Sequence, residues 1–208
     1  MANLLIHQIT PSDTSRWQAI MEIYYATFPE WEREPEDILI ERISSGRYVM
    51  YCGQAQNNIV GFYILDINQE PSYALFCFLA VSETQRGKGL GTILCKDAIR
   101  RFHEEYALDL LLIEAEDRQA IFYGKLGFKK IDINYLVPEY NAPDSVPMHL
   151  MAISADDHVT QLEAKHLRAL LQHIFTTGYY LNNQDERLTA QLAKIPEHAA
   201  LLVWPPKD

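Results

Sequence analysis

Apolar residues along this chain recur at every second position in some stretches and at every third or fourth in others, and the alternation predicts its elements. Leu4 to Thr10 reads as a first strand. Pro11, Ser12 and Asp13 supply turn and helix-cap residues, and Trp17, Ile20, Met21, Tyr24 and Phe28 then share one face of a helix that ends at Pro29. Glu30 to Glu36 is an acidic connector. Pro35 opens a second helix, which runs through Ile43 and stops at Ser44-Ser45-Gly46. Arg47 to Gln54, Ile59 to Asn68 and Tyr73 to Val81 have the aromatic and β-branched content of strands. The polar turn Gln56-Asn57-Asn58 joins the first two, so the three predict an antiparallel meander.

Further on, Leu90, Leu94, Ala98, Phe102 and Tyr106 recur every four residues and predict a long helix. A strand from Leu110 to Ala115 follows, then a short helix from Arg118 to Lys125 that Gly127 closes. Lys130 to Val137 and Met148 to Ile153 complete the set as strands, joined by a loop carrying Pro138, Pro143 and Pro147. The expected fold is a mixed α/β domain over residues 1–154, with a mostly antiparallel central sheet of about seven strands flanked by helices. Residues 155–208 differ. Val159, Leu162, His166, Leu167, Leu170, Leu171 and Ile174 favour an amphipathic helix, Asn182-Asn183 is a polar break, and a second helix is expected from Asp185 to Lys194. This stretch reads as a helical appendage docked on the main domain.

Composition narrows the class. A chain of 208 residues that is 48% hydrophobic can bury a proper core. No apolar run approaches the length of a membrane span, and the N-terminus lacks the basic flank and apolar stretch of a secretory signal. The three cysteines, Cys52, Cys77 and Cys95, are odd in number and scattered through apolar segments, so they read as reduced core thiols of a cytoplasmic protein without zinc spacing. A formal net charge of −10 argues against nucleic-acid or anionic-membrane partners and suits a cationic one, such as an amine.

The densest chemical signal is Arg86-Gly87-Lys88-Gly89-Leu90-Gly91, where three of the nine glycines fall just ahead of the long helix. Such a turn exposes consecutive backbone N–H groups and aims them, with the positive end of the helix dipole, at one point: an anion site, most often for phosphate. Arg86, Lys88, Lys96, Arg100 and Arg101 concentrate positive charge nearby. A purely structural turn is the plain alternative, although three glycines with two interleaved cations exceed what a turn needs. The spacing is not that of a P-loop. It misses the dinucleotide fingerprint by one residue, although Glu114 lies roughly where a ribose-binding acid would sit.

The run Phe78-Leu79-Ala80-Val81 followed by Gln85-Arg86-Gly87-Lys88-Gly89-Leu90-Gly91 resembles the coenzyme A motif of the GNAT N-acetyltransferase superfamily, with Arg86, Gly89 and Gly91 at its fixed positions. Downstream, Ala120-Ile121-Phe122-Tyr123-Gly124-Lys125-Leu126-Gly127-Phe128 resembles the second signature of that family, a helix ending in Tyr-x-x-x-Gly-Phe. The resemblance covers roughly residues 3 to 153. It implies that the pyrophosphate of acetyl-CoA, the cosubstrate, rests on the 86–91 turn with Thr92 beside it. It also implies that the pantetheine arm pairs with the backbone of Leu79, Ala80 and Val81.

Acyl transfer to an amine needs a neutral nucleophile, a polarised carbonyl and a proton for the departing thiolate. A phenol, with reference pKa near 10, is protonated at neutral pH and can supply that proton. The resemblance gives this acid role to Tyr123, whose plain alternative is a buried aromatic on a short helix. Glu114, at the end of its strand, is the candidate base, with a solvated strand-end acid as its alternative and Glu116 and His149 as weaker candidates. Glu30, Glu32, Glu34 and Glu36 read either as a wet surface or as an attraction for a cationic acceptor. His166 and His173 share a helical face without a third ligand, so no metal is expected. The expected activity is N-acetyl transfer from acetyl-CoA to a small-molecule or peptide amine. The alternative is a non-catalytic acyl-CoA-binding or scaffolding module, and a homodimer is left open.

Overall fold

Gln56 and Asn57 both take positive φ, 49° and 69°, and so form the tight primed turn that joins β2 (Tyr48–Ala55) to β3 (Asn58–Asn68). The computed structural model describes residues 4–140 and 142–206. Its contacts separate two units, Met1–Asn68 with Ala74–Ala107, and Gln69–Tyr73 with Leu108–Asp208.

In the first unit β1 (Leu5–Ile9) runs antiparallel to β2, from Leu5 opposite Gln54 to Ile9 opposite Met50. The strand order is β1-β2-β3-β4, with β4 at Tyr73–Val81. Strand alternation divides the side chains between two faces. Tyr48, Met50, Cys52, Phe62, Ile64, Phe78 and Ala80 pack with Trp17, Ile20, Met21 and Tyr24 of α1 (Thr14–Thr27) and Leu39 of α2 (Glu36–Ser44). On the opposite face lies α3 (Leu90–Glu105), burying Leu90, Leu94, Cys95, Ala98 and Phe102. Tyr63 there donates to Asp97 at 2.6 Å, and Arg101 stacks over the Tyr51 ring at 4.0 Å. Asp13 does not cap α1 with its side chain. Its carboxylate accepts instead from the amide and hydroxyl of Thr10, at 3.0 and 3.1 Å, and so fixes the turn leading into the helix.

The second unit carries β5 (Leu110–Ala115), α4 (Asp117–Gly124), β6 (Lys129–Ile131), β7 (Tyr135–Pro138) and β8 (Ser145–Ser154). It continues with β9 (Gln161–Glu163), α5 (Ala164–His173), a π-helical turn at Ile174–Gly178, α6 (Glu186–Ala193) and β10 (His198–Val203). Its strand order is β5-β8-β6-β10-β9, with β7 paired to β8. Every strand pair that defines this unit is antiparallel. The fold is therefore mixed α/β with mostly antiparallel strands, as the sequence predicts.

Among the described residues the strand count is ten rather than about seven, because one expected strand is split and the C-terminal stretch adds two, and one strand boundary also moves. Lys130 to Val137 is not one strand, because a bend at 132–134 separates β6 from β7. Pro147 lies within β8 rather than in a loop, opposite Leu136; β5 reaches only His149, so no β5 acceptor needs the missing proline N–H. Finally, the C-terminal stretch contributes β9 and β10 besides its helices. β10 pairs with β6 from Leu201 opposite Ile131 to Val203 opposite Lys129, burying Ala199 and Leu201. Helix α5 begins only at Ala164, so Val159 precedes it and Leu162 belongs to β9. Among the described residues no helix is long and apolar enough to cross a membrane.

Candidate active site

In the first unit, β4 ends at Val81 and a single 3-10 turn, Glu83–Gln85, leads into the glycine segment. Gly87 and Gly89 both sit at φ +78°, in the left-handed region, and a Cβ at either would meet nothing within 4 Å. The backbone angle, not crowding, therefore requires glycine at both places. Gly89 is the N-cap of α3, and no side chain caps that helix, so its first amides have no partner within the helix and point outward. Gly91, already helical, has only an ordinary 3.7 Å contact where its Cβ would be. The protein itself leaves room for a side chain there, and glycine keeps the approach to those amides open. Lys88 Nζ donates to Gln85 Oε1 at 2.8 Å and Arg86 Nε to the Val81 carbonyl at 3.3 Å; both cations remain exposed beside the turn. Leu79 and Val81 are partly exposed, whereas Ala80 is buried.

Two of the five cations expected to concentrate here are taken up by acids of their own helix. Arg100 pairs with Asp97, Glu104 and Glu105, and Arg101 pairs with Asp97 and Glu105 at the far end of α3, so both are neutralised within their own helix. The acids of the connector also differ from expectation. Glu34 is 4% exposed and bonded to Arg42 at 2.7 Å, and Glu36 accepts from Trp17 Nε1 at 2.7 Å and Tyr25 Oη at 2.9 Å. Two of the four acids thus serve the first unit's own packing.

In the second unit the Tyr-x-x-x-Gly-Phe signature is a helix C-terminus. The Phe128 amide donates to the Tyr123 carbonyl and the Gly127 amide to the Gly124 carbonyl, both at 3.2 Å. With the Tyr123 and Phe128 rings edge-to-face at 5.7 Å, this is a Schellman motif with its hydrophobic contact. Tyr123 is 8% exposed, so the motif also fixes where its ring lies. Gly124 is needed for another reason: a Cβ there would come within 2.0 Å of the Trp204 carbonyl oxygen, beyond β10. Gly124→Ala, ordinarily favourable inside a helix, is therefore expected to destabilise the protein by about 1–3 kcal/mol. Urea unfolding of the two proteins measures the difference.

Glu114 lies on β5 opposite Leu150 of β8. It is not a solvated strand-end acid. One carboxylate oxygen accepts from the Tyr135 hydroxyl and the other from the Tyr179 hydroxyl, at 2.6 Å for the latter. Burial raises its pKa above the ordinary carboxylate range, and the two phenols oppose the rise. Burial also pushes both phenols well above their usual value, so they stay protonated and remain donors. No periodicity or spacing in the sequence links either tyrosine to Glu114, from which they stand 21 and 65 residues away. Of the weaker candidates, Glu116 is the exposed N-cap of α4, and His149 Nε2 is bonded to Asp117 at 2.7 Å with its ring against Trp204.

An uncapped glycine turn between strand and helix can take an anion such as a phosphate, and further along the chain the signature helix end fixes the Tyr123 ring. The chain belongs to the acetyltransferase (GNAT) family, whose model matches residues 17–128. No curated protein matches it. Among solved structures it is similar to a protein assigned to the GNAT family from Bacteroides thetaiotaomicron, with 20% identity, 86% of this chain and 99% of that one covered, and a TM-score of 0.69. It is also similar to a GNAT acetyltransferase from Elizabethkingia anophelis with acetyl-CoA bound, with 20% identity, 73% and 98% covered, and a TM-score of 0.54. A third is an aminoglycoside 6'-N-acetyltransferase complexed with coenzyme A, with 16% identity, 74% and 99% covered, and a TM-score of 0.59. At these identities the likeness is one of fold. The enzymatic class, acyltransferase, follows from the family.

Proposed function

We propose that the protein is a cytoplasmic N-acetyltransferase that passes an acetyl group from acetyl-CoA directly to a primary amine, of a small molecule or a peptide, in a ternary complex. The observation that carries this reading is the uncapped left-handed turn opening α3 in a chain of the acetyltransferase family. The amides of Gly87 to Thr92 would hold the pyrophosphate, with Arg86 and Lys88 adding charge. The backbone of Leu79, Ala80 and Val81 would take the pantetheine arm. Tyr123 would hand its phenolic proton to the departing thiolate, whose pKa of about 8.5 makes that transfer easy. Glu114 would take the proton of the attacking ammonium; burial raises its pKa above the ordinary carboxylate range, which makes its carboxylate a stronger base. The three cysteines are free, which supports the cytoplasmic assignment.

We further propose that residues 1–154 form the catalytic fold and 155–208 an extension of it. Solved neighbours that match about three quarters of this chain are spanned over 98–99% of their own length, which supports that division.

The test is calorimetric titration with acetyl-CoA, followed by thiol release in the presence of alkyl diamines, aromatic amines and short peptides with free N-termini. Binding with release supports the transferase. Tight binding with no release across the panel would favour the non-catalytic acyl-CoA module, and no binding would remove the proposal. Arg86→Ala and Lys88→Ala are each expected to weaken acetyl-CoA binding about threefold to tenfold, with the deficit shrinking as salt rises.

A further inference from the structure

We infer that Tyr179, carried by the C-terminal extension, is a positioning residue for Glu114: with Tyr135 it clamps the carboxylate by both oxygens, so the extension completes the proton-accepting centre. The inference rests on the proposed base role of Glu114 and adds what holds that base in place.

The geometry of residues 174–180 carries it. Helix α5 does not end in an ordinary cap. It widens into a π-helical turn in which the Tyr179 amide donates to the Ile174 carbonyl at 3.3 Å, a conformation found disproportionately at functional sites. The next residue, Tyr180, has φ +57°, a left-handed conformation that disfavours a bulky side chain. Between these two costly features stands Tyr179, with its hydroxyl on Glu114 at 2.6 Å.

The turn is gripped from three other elements. Tyr140 stacks on the Tyr179 ring at 5.1 Å and donates to the Gly178 carbonyl at 3.1 Å. Phe175 meets the rings of both Tyr179 and Tyr135, at 6.0 and 5.9 Å, and Tyr73 is bonded to His173 Nδ1 at 2.7 Å. A segment that only covered apolar surface would need neither the Tyr179–Glu114 hydrogen bond nor the polar contacts of Tyr140 and Tyr73 that hold its turn.

Among the described residues, two phenols act on the charge of Glu114. Tyr135 reaches it from β7 and Tyr179 from the extension, while its register partner on β8, Leu150, is apolar. Tyr140 lies one contact beyond Tyr179, and Tyr73 and His173 lie beyond Tyr135. No cation contributes to its charge state among the described residues. Two phenolic donors therefore oppose burial alone. Each favours the ionised carboxylate, so removing one must raise the pH at which Glu114 loses its proton.

The full chain, labelled with carboxyl-13C glutamate, tests this without any acceptor; the Glu114 resonance is the one missing from Glu114→Gln. Tyr179→Phe, which keeps the ring and its stacking, is expected to raise the Glu114 titration midpoint by about one pH unit, and Tyr135→Phe at least as much. Tyr140→Phe should leave the midpoint in place. With the amine panel above, the acid limb of the thiol-release profile in Tyr179→Phe should move upward in parallel, at unchanged KM for acetyl-CoA. An unmoved midpoint in Tyr179→Phe would overturn the inference, whatever Tyr135→Phe does. Full turnover by Glu114→Gln would instead overturn the base assignment, and with it the catalytic meaning of the clamp, whatever the midpoint does.

Discussion

Tyr123→Phe is expected to lower kcat for acetyl transfer about 100-fold while leaving the dissociation constant of acetyl-CoA unchanged. The substitution removes one oxygen and little else. The Schellman hydrogen bonds use the Tyr123 carbonyl, and the edge-to-face contact with Phe128 needs only the ring, so both survive. The proposed anion turn lies at 86–92 in the first unit and shares no residue with the signature. In the proposed mechanism the variant has no phenolic proton to give the departing thiolate. Acyl donors with more acidic thiols depend less on that proton, so the deficit should shrink with a thioester of an aromatic thiol. Single-turnover kinetics with both donors read the difference. An equal deficit for both, or none, would leave Tyr123 with its structural role alone.

What the sequence made legible was local. Gly87, Gly89 and Gly91 could be read because positive φ and an open helix start are decided within five residues, and Gly127 because a Schellman motif is decided within six. The four-residue recurrence of Leu90, Leu94, Ala98 and Phe102 gave the buried face of α3 directly. The neutralising pairs of Arg101 were readable too: Asp97, Arg101 and Glu105 stand at i, i+4 spacing, yet a count of positive residues passes over it.

Long-range contacts were another matter. Glu114 meets Tyr135 across 21 residues and Tyr179 across 65, and neither separation follows any period that a sequence displays. β10 is written Ala-Ala-Leu-Leu-Val in its last five positions, without a polar alternation, and becomes a strand because β6 offers it an edge. β9, three residues long, is fixed only by β10. The extension therefore looked purely helical because its strands are defined by their partners rather than by their own residues.

The acidic connector shows the same principle in energetic form, and Arg42→Met is expected to produce the largest stability loss, about 3–5 kcal/mol at neutral pH. Arg42 Nη1 and the Tyr48 hydroxyl both donate to Glu34 Oε1, each 2.7 Å away, while Glu34 Oε2 is buried without a hydrogen-bond partner among the described residues. The Tyr24 hydroxyl grips the same residue's backbone, accepting from the Glu34 amide at 2.8 Å and donating to its carbonyl at 3.2 Å, so the carboxylate cannot turn out to water. Burial already raises the Glu34 pKa, and Arg42 is the chief force opposing that rise. Without Arg42 the folded-state pKa must climb further above the unfolded value. The folded variant then prefers the protonated acid, so its stability is greatest below the unfolded pKa and is lost as pH rises through the window up to the folded one. Urea unfolding of Arg42→Met should accordingly show a deficit that is small near pH 4 and full at pH 7. The double variant Arg42→Met/Glu34→Met, which leaves no charge behind, should recover most of the loss and lose the pH dependence. A deficit independent of pH, or a double variant no better than the single one, would mean that the guanidinium matters for its packing rather than for the carboxylate it holds.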